Sequence, residues 1–275
     1  MRHHPVPASD GGAPAGSLTG GLLDRLRSSA LSPAVSAPGG QRIPGSVFAS
    51  TVERAAAGLR IRGSRPGDVT AVLCPHSPDR LMALFTVLAA DGAALPLHPD
   101  APASALVHLL TATETRMVIA DASLAGAALR LADRSRVRQV LAFGRVPGTT
   151  PFDELLLPGP AAPPDPLSSG APGPPPDARA GRADGALLEH RSAGGRPRTV
   201  LHTRADLLRR RAELQRELGL DPADTVAVDA LTPERDRIAL TAAALWSGAS
   251  VTTVPTPAEA PEATVHSSPV PSRSR

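Results

Sequence analysis

The chain has 275 residues, with 31 prolines, 24 glycines, no tyrosine and neither lysine nor asparagine. That length supports one sizeable core or two modest ones, and the one-sided residue choice follows a GC-rich coding bias. Every basic residue other than histidine is an arginine, so the sequence pI is near 10.6 although the net charge is only +3; the basic balance therefore does not argue for a nucleic-acid binder.

The densest basic cluster, Arg209-Arg210-Arg211, is interleaved with Glu213 and Glu217 and not with aromatics, the pattern of a solvated helix face. A single cysteine, Cys74, excludes an internal disulfide and a cysteine-rich metal site. It reads as a small buried hydrophobe, and His76 two residues on does not make it a nucleophile–base pair. Met1-Arg2-His3-His4 and the residues after it hold no apolar run of the signal-peptide kind. The longest apolar stretch, Leu81 to Leu97, is interrupted by Asp91 and Gly92, so no membrane segment and a cytoplasmic location are expected.

In chain order, residues 1–20 lack hydrophobic periodicity and are expected to be disordered. Phe48, Val52, Ala55, Ala56 and Leu59 share one helical face, with Gly63 as a stop. Val69–Leu73 reads as a strand. Ser77 then Pro78 form an N-cap and first-turn pair for a helix carrying Leu81, Leu84, Phe85 and Leu88. A strand at Ala93–Leu97, a helix carrying Leu106, Leu109 and Leu110 with His108 at the core edge, and a strand at Met117–Ala120 follow. A helix through Leu124–Ala132 and a strand at Val137–Ala142 complete the first half.

Nine prolines between Pro158 and Pro176 mark a linker over 158–183. Beyond it, Ala186–Leu188 and Thr199–His202 read as strands, and Thr203 with Asp206 as a capping box. The helix that follows carries Leu207, Leu214 and Leu218. A strand at Thr225–Val228, a helix through Ile238–Trp246 and a strand at Ala249–Val254 precede a Pro/Ser/Thr-rich tail over 255–275. The expected organisation is a first α/β subdomain over 21–157 and a partial second one over 184–254. The fold class is α/β, layered parallel sheets flanked by helices.

One segment carries a stronger signal. Ser192-Ala193-Gly194-Gly195-Arg196-Pro197-Arg198-Thr199-Val200, ending in His202-Thr203 at a helix start, resembles the phosphate-binding signature of the adenylate-forming (AMP-binding) superfamily. There a Ser/Thr/Gly-rich loop precedes Gly-x-Pro-Lys-Gly. Arg65-Pro66-Gly67-Asp68-Val69, Pro75-His76-Ser77-Pro78 and Pro96-Leu97-His98-Pro99 stand in the order and spacing of other motifs of that family, so the resemblance runs from Leu22 to Val254.

The resemblance implies the N-terminal subdomains of an acyl-CoA synthetase or adenylation domain, incomplete. It also implies ATP and magnesium as cofactors, and a phosphate loop at Ser192, Gly194, Gly195 and Arg198. Such a loop works through backbone N–H groups, hydroxyls and a cation placed on the polyanion. Here only Ser192 keeps a hydroxyl, Arg198 stands for the family's Lys, and Thr199 for a Gly. An arginine fork is not equivalent to an ammonium point charge, so impaired ATP turnover is expected and no catalytic residue is assigned. The family's adenine-binding aromatic motif, ribose-binding Asp, hinge and lid Lys have no counterpart after Val254.

Three readings follow: a truncated AMP-dependent synthetase/ligase, inactive alone unless a protein partner supplies the remainder; a pseudoenzyme or partner-docking scaffold; or a truncated or frameshifted gene. His76 and His98 read as turn residues, and no spacing of ligands calls for a metal.

Overall fold

The computed structural model describes residues 18–29, 33–40, 42–157, 186–193, 196–255 and 263–266, with the backbone alone at 186, 191–193, 196–198 and 266. The expectations for residues 1–17, for the linker at 158–183 and for most of the tail lie outside the described residues.

The chain builds two sheets with helices between and outside them. In order, the elements are α1 (Gly20–Ser28), β1 (Ala34–Ser36), β2 (Ile43–Pro44), α2 (Gly45–Ile61), β3 (Val69–Leu73), α3 (Pro78–Ala89), β4 (Ala93–Pro96), α4 (Ala103–Ala112) and β5 (Met117–Ala120). Next come α5 (Ala125–Ala132), β6 (Gln139–Ala142), β7 (Thr150–Pro151), a 3-10 turn at Phe152–Leu156, β8 (Ala186–Ala193) and β9 (Arg196–His202). The last are α6 (Arg204–Leu218), β10 (Thr225–Asp229), α7 (Glu234–Ser247), β11 (Ser250–Val254) and β12 (Val265–His266).

One sheet has seven strands in the order β7-β6-β5-β3-β4-β8-β9, all parallel except the β8–β9 hairpin. The other has five, in the order β12-β10-β11-β1-β2, with only β1 and β2 antiparallel. The layered α/β class expected from the sequence is the fold observed.

The two sheets interlock across the halves of the chain. β8 aligns its Ala186 and Leu187 with Ala93 and Ala94 of β4, so the second half completes the first half's sheet. In return, Val35 of β1 aligns with Val251 of β11. Backbone groups on the open edge of β4 need partners once buried, and β8 supplies them. Within the segment read as a patternless tail, Val265 aligns with Val226. Thr264 anchors this short strand: its Oγ1 donates to Asp224 Oδ1 at 2.8 Å and accepts from Thr225 N at 3.0 Å.

Strand periodicity explains the layering. Alternate residues of a strand face opposite sides, so Val72 and Ile119 enter one core while Ala71, Leu73, Val118 and Ala120 enter another. The larger core runs from the seven-stranded sheet through side chains of α1, α2, α3, α6 and α7 to Val35, Val226, Val228 and Val251 of the five-stranded sheet. Phe48 and Phe85 meet edge to face at its centre, ring centroids 5.6 Å apart. The smaller core lies under α4 and α5. His108, expected at the core edge, is exposed instead. α4 buries Leu106, Leu109 and Leu110, and at about 100° per residue His108 falls on the opposite side.

The capping box at Thr203 forms as the sequence indicates. Asp206 N donates to Thr203 Oγ1 at 3.2 Å and Thr203 N donates to Asp206 Oδ2 at 3.0 Å. α6 ends at Gly219 with φ of 54°, a left-handed position that favours glycine. Thr203→Ala is expected to cost about 1 kcal/mol of folding stability, checked by urea unfolding; no change would mean that packing of Leu207 and Leu214 alone sets the start of α6.

Candidate functional site

In open α/β sheets ligands sit outside the carboxyl ends of the strands. At that edge the turns after β3 and β4, the loop from β10 into α7, and the β8–β9 hairpin come together through a buried network of polar side chains.

Arg80 in the first turn of α3 and Arg237 in the first turn of α7 both donate to Oε1 of Glu234. Each of the three residues is 4% exposed. Arg80 Nε lies 3.0 Å from that oxygen, and its Nη1 donates to the Cys74 carbonyl at 2.6 Å. Arg237 Nη2 donates to the carbonyls of Thr232 at 2.8 Å, Ala230 at 3.0 Å and Asp229 at 3.3 Å. Burial pushes the Glu234 carboxyl up, but the Arg80 and Arg237 guanidiniums outweigh it and hold the group below its ordinary range.

The loop itself is tied by Asp229, whose Oδ1 accepts from Leu231 N at 2.8 Å, Thr232 N at 2.9 Å and Thr232 Oγ1 at 3.0 Å. Glu189 of β8 closes the network. Its Oε1 accepts from Glu234 N at 3.3 Å, and its Oε2 lies 3.1 Å from His202 Nε2 across the hairpin.

His76, after β3, spans from one sheet to the other. Its Nε2 lies 2.7 Å from the carbonyl of Val228 in β10 and so carries the proton. Burial, with Arg237 nearby, lowers its pKa from 6.5 to about 4. Between those values the unfolded chain binds a proton that the folded chain refuses, so stability contributed by neutral His76 is full above pH 6.5 and is lost as pH falls toward 4. His76→Gln is expected to flatten that part of the stability–pH curve; an unchanged curve would assign the dependence to other groups. Burial raises the Cys74 thiol from 9.0 to about 12, so this side chain is the inert hydrophobe expected of it.

The residues of the phosphate-loop resemblance fall on the hairpin. Backbone register pairs Ser192 with Pro197 and Arg191 with Arg198, up to Ala193 opposite Arg196. Gly194 and Gly195, which join the two strands, lie outside the described residues, as do the side chains of Ser192 and Arg198. The resemblance implies a loop over these residues, whereas the ladder continues through most of them. Pro197 is compatible because β9 is an edge strand, where a missing backbone donor is tolerated. In an extended strand Thr199 needs no glycine-like freedom. Arg80, Glu189, Glu234 and Arg237 escaped the sequence reading, because isolated charged residues are by default solvated.

A family model described as AMP-binding enzyme matches residues 27–228. The chain belongs to this AMP-binding family. Over 62 residues it is 42% identical to the pyochelin synthetase PchE of Pseudomonas aeruginosa, covering 22% of this chain and 4% of that protein. Among solved structures it superposes on an anthranilate CoA ligase in complex with anthranoyl-AMP with a TM-score of 0.72 at 14% identity, over 92% of this chain and 50% of the ligase. A long-chain-fatty-acid CoA ligase from Archaeoglobus fulgidus gives 0.68 at 16% identity, over 87% and 47%. These structural likenesses show the fold, and the chain spans about half the length of the two ligases and a small part of the synthetase. Among the described residues no helix is long and apolar enough to cross a membrane, and no group of three or more His, Cys, Asp or Glu is placed to hold a metal ion.

Proposed function

We propose that the chain is a catalytically impaired AMP-binding protein that holds the phosphates of ATP or AMP at the β8–β9 hairpin and does not complete acyl-adenylate formation on its own. ATP, when bound, would supply the adenylyl group that activates a carboxylic acid. The hairpin suits its phosphates: backbone N–H groups at Gly194-Gly195, the Ser192 hydroxyl, and the arginines at 196 and 198 are a donor set for a polyanion.

The observation that carries the reading of impairment is the state of the neighbouring charges. Glu189 is engaged with His202 and the Glu234 N–H, and Glu234 with Arg80 and Arg237. Stabilising charge that develops on a phosphoryl group calls for cations and donors aimed at it. Here Arg80 and Arg237 are committed to one carboxylate and a set of carbonyls. Both oxygens of Glu189 are engaged, and Glu234, although its Oε2 accepts no hydrogen bond, is buried with two guanidiniums on Oε1, so neither suits magnesium, which takes accessible carboxylate oxygens.

Calorimetric titration with ATP and AMP tests the nucleotide site. Binding by the wild-type chain is expected to weaken at least about tenfold in Arg198→Ala, equivalent to about 1.4 kcal/mol, and less in Arg198→Lys. Absence of nucleotide binding, or binding indifferent to Arg198, would refute the assignment. A second reading is favoured by Leu231, 79% exposed on the loop between β10 and α7: a protein partner docks at this edge and supplies the catalytic groups that the network does not.

A further inference from the structure

At the opposite edge of the seven-stranded sheet, where β3, β5 and β6 begin, a cleft of about 600 Å³ is lined by Arg62, Arg65, Arg116 and Arg138 together with Asp68 and Gln139. It adjoins a second, of about 460 Å³, that Arg116 and Arg138 also line with Arg136 and Glu114. We propose that this arginine cleft is a binding site for the phosphate or diphosphate group of a small molecule, separate from the hairpin.

The placement of Arg116 and Arg138 carries the proposal. β5 and β6 are parallel, with Met117 aligned to Gln139, so the two arginines stand side by side one step earlier, and Arg138 N donates to the Arg116 carbonyl at 2.8 Å. Like charges on neighbouring strand positions repel. Elsewhere in these clefts charge is answered locally: Arg62 has Glu154 at 3.7 Å and Arg136 has Glu114 at 3.7 Å. Among the described residues neither Arg116 nor Arg138 has an ion-pair partner.

The helix ends behind them do not supply the missing charge. α2, α4 and α5 all finish on this side, and a helix C-terminus is equivalent to about half a negative charge. Even three such ends offset only about three-quarters of what two guanidiniums carry. Their planar forks match phosphate oxygens in a bidentate manner, and Arg65 lines the same cleft. A carboxylate brings a single charge, whereas a phosphate ester or diphosphate brings two or more. No aromatic side chain lines either cleft, so the site offers nothing on which nucleobases would stack.

The test uses inorganic pyrophosphate as the probe, titrated into the full chain carrying Arg198→Ala so that binding at the hairpin is weakened and the same in every variant compared. Saturable binding is expected, weakening as salt rises and falling at least tenfold in Arg116→Ala/Arg138→Ala. The Arg116→Lys/Arg138→Lys chain, which keeps the charge and loses the forks, should fall between the two, and thermal melting of each variant checks that it folds. No saturable pyrophosphate binding, binding unchanged in the double alanine chain, or duplex DNA displacing pyrophosphate through the same arginines would overturn the proposal.

Discussion

Glu234→Gln is expected to destabilise the fold by about 3–5 kcal/mol, the range for breaking a buried ion network by removing one member. The substitution leaves the Arg80 and Arg237 guanidiniums, each 4% exposed, without the carboxylate that both contact. Arg80 then keeps the carbonyls of Cys74 and Leu97 and Arg237 those of the loop after β10, with a neutral amide oxygen at most in place of the charged carboxylate. Because α3 belongs to the first half of the chain and α7 to the second, the loss is a loss of contact between halves. Urea unfolding gives the measurement, with the midpoint falling and the slope unchanged if the change is purely one of stability. Replacing all three residues together, as Arg80→Met/Glu234→Leu/Arg237→Met, is expected to recover much of the loss, since apolar packing often equals or exceeds a buried ion network. A cost below about 1 kcal/mol for Glu234→Gln, within the range of exposed ion pairs, would show that water reaches the cluster.

Gly58→Ala is expected to be destabilising by about 2–3 kcal/mol, although alanine is the better helix former by about 1 kcal/mol. A Cβ built at Gly58 would overlap the carbonyl oxygen of Leu155 and lie 2.7 Å from its Cα. Both are backbone atoms and cannot swing aside like a side chain end. The 3-10 turn at Phe152–Leu156 lies against α2 here, with Leu155 and Phe152 buried and Phe152 stacked on Phe143 at 4.3 Å. Thermal unfolding of Gly58→Ala checks this. A neutral or stabilising result would mean that the turn does not sit on α2 in solution.

These two positions mark where the sequence could and could not be read. α2, α3 and α6 were legible because Phe48, Val52 and Leu59, then Leu81, Leu84 and Phe85, then Leu207 and Leu214 recur at helical spacing behind recognisable starts such as Ser77 and Thr203. The strands β3 to β6 were legible as short apolar runs, since both faces of that sheet are covered. β1, β2 and β12 were not, because two or three residues carry no period. The interlocking of the sheets was invisible for a different reason: the alignment of Val35 with Val251 is a long-range choice that no local pattern encodes.

The candidate site was half legible. Ser192, Gly194, Gly195 and Arg198 announce themselves by resemblance, and the ladder places the described members at the head of one hairpin. Glu189, Arg80, Glu234 and Arg237 stand far apart in the chain, and only the fold brings them into one buried set. Their engagement with one another supports the reading that the hairpin retains a grip on phosphate while the charges near its base do no chemistry.

ATP–pyrophosphate exchange, run with the full chain across a broad panel of carboxylic acids, tests that reading most directly. No acid-dependent exchange above background is expected. Exchange that appears with a particular acid and disappears in Arg198→Ala would contradict the reading, and would make the hairpin a working catalytic loop.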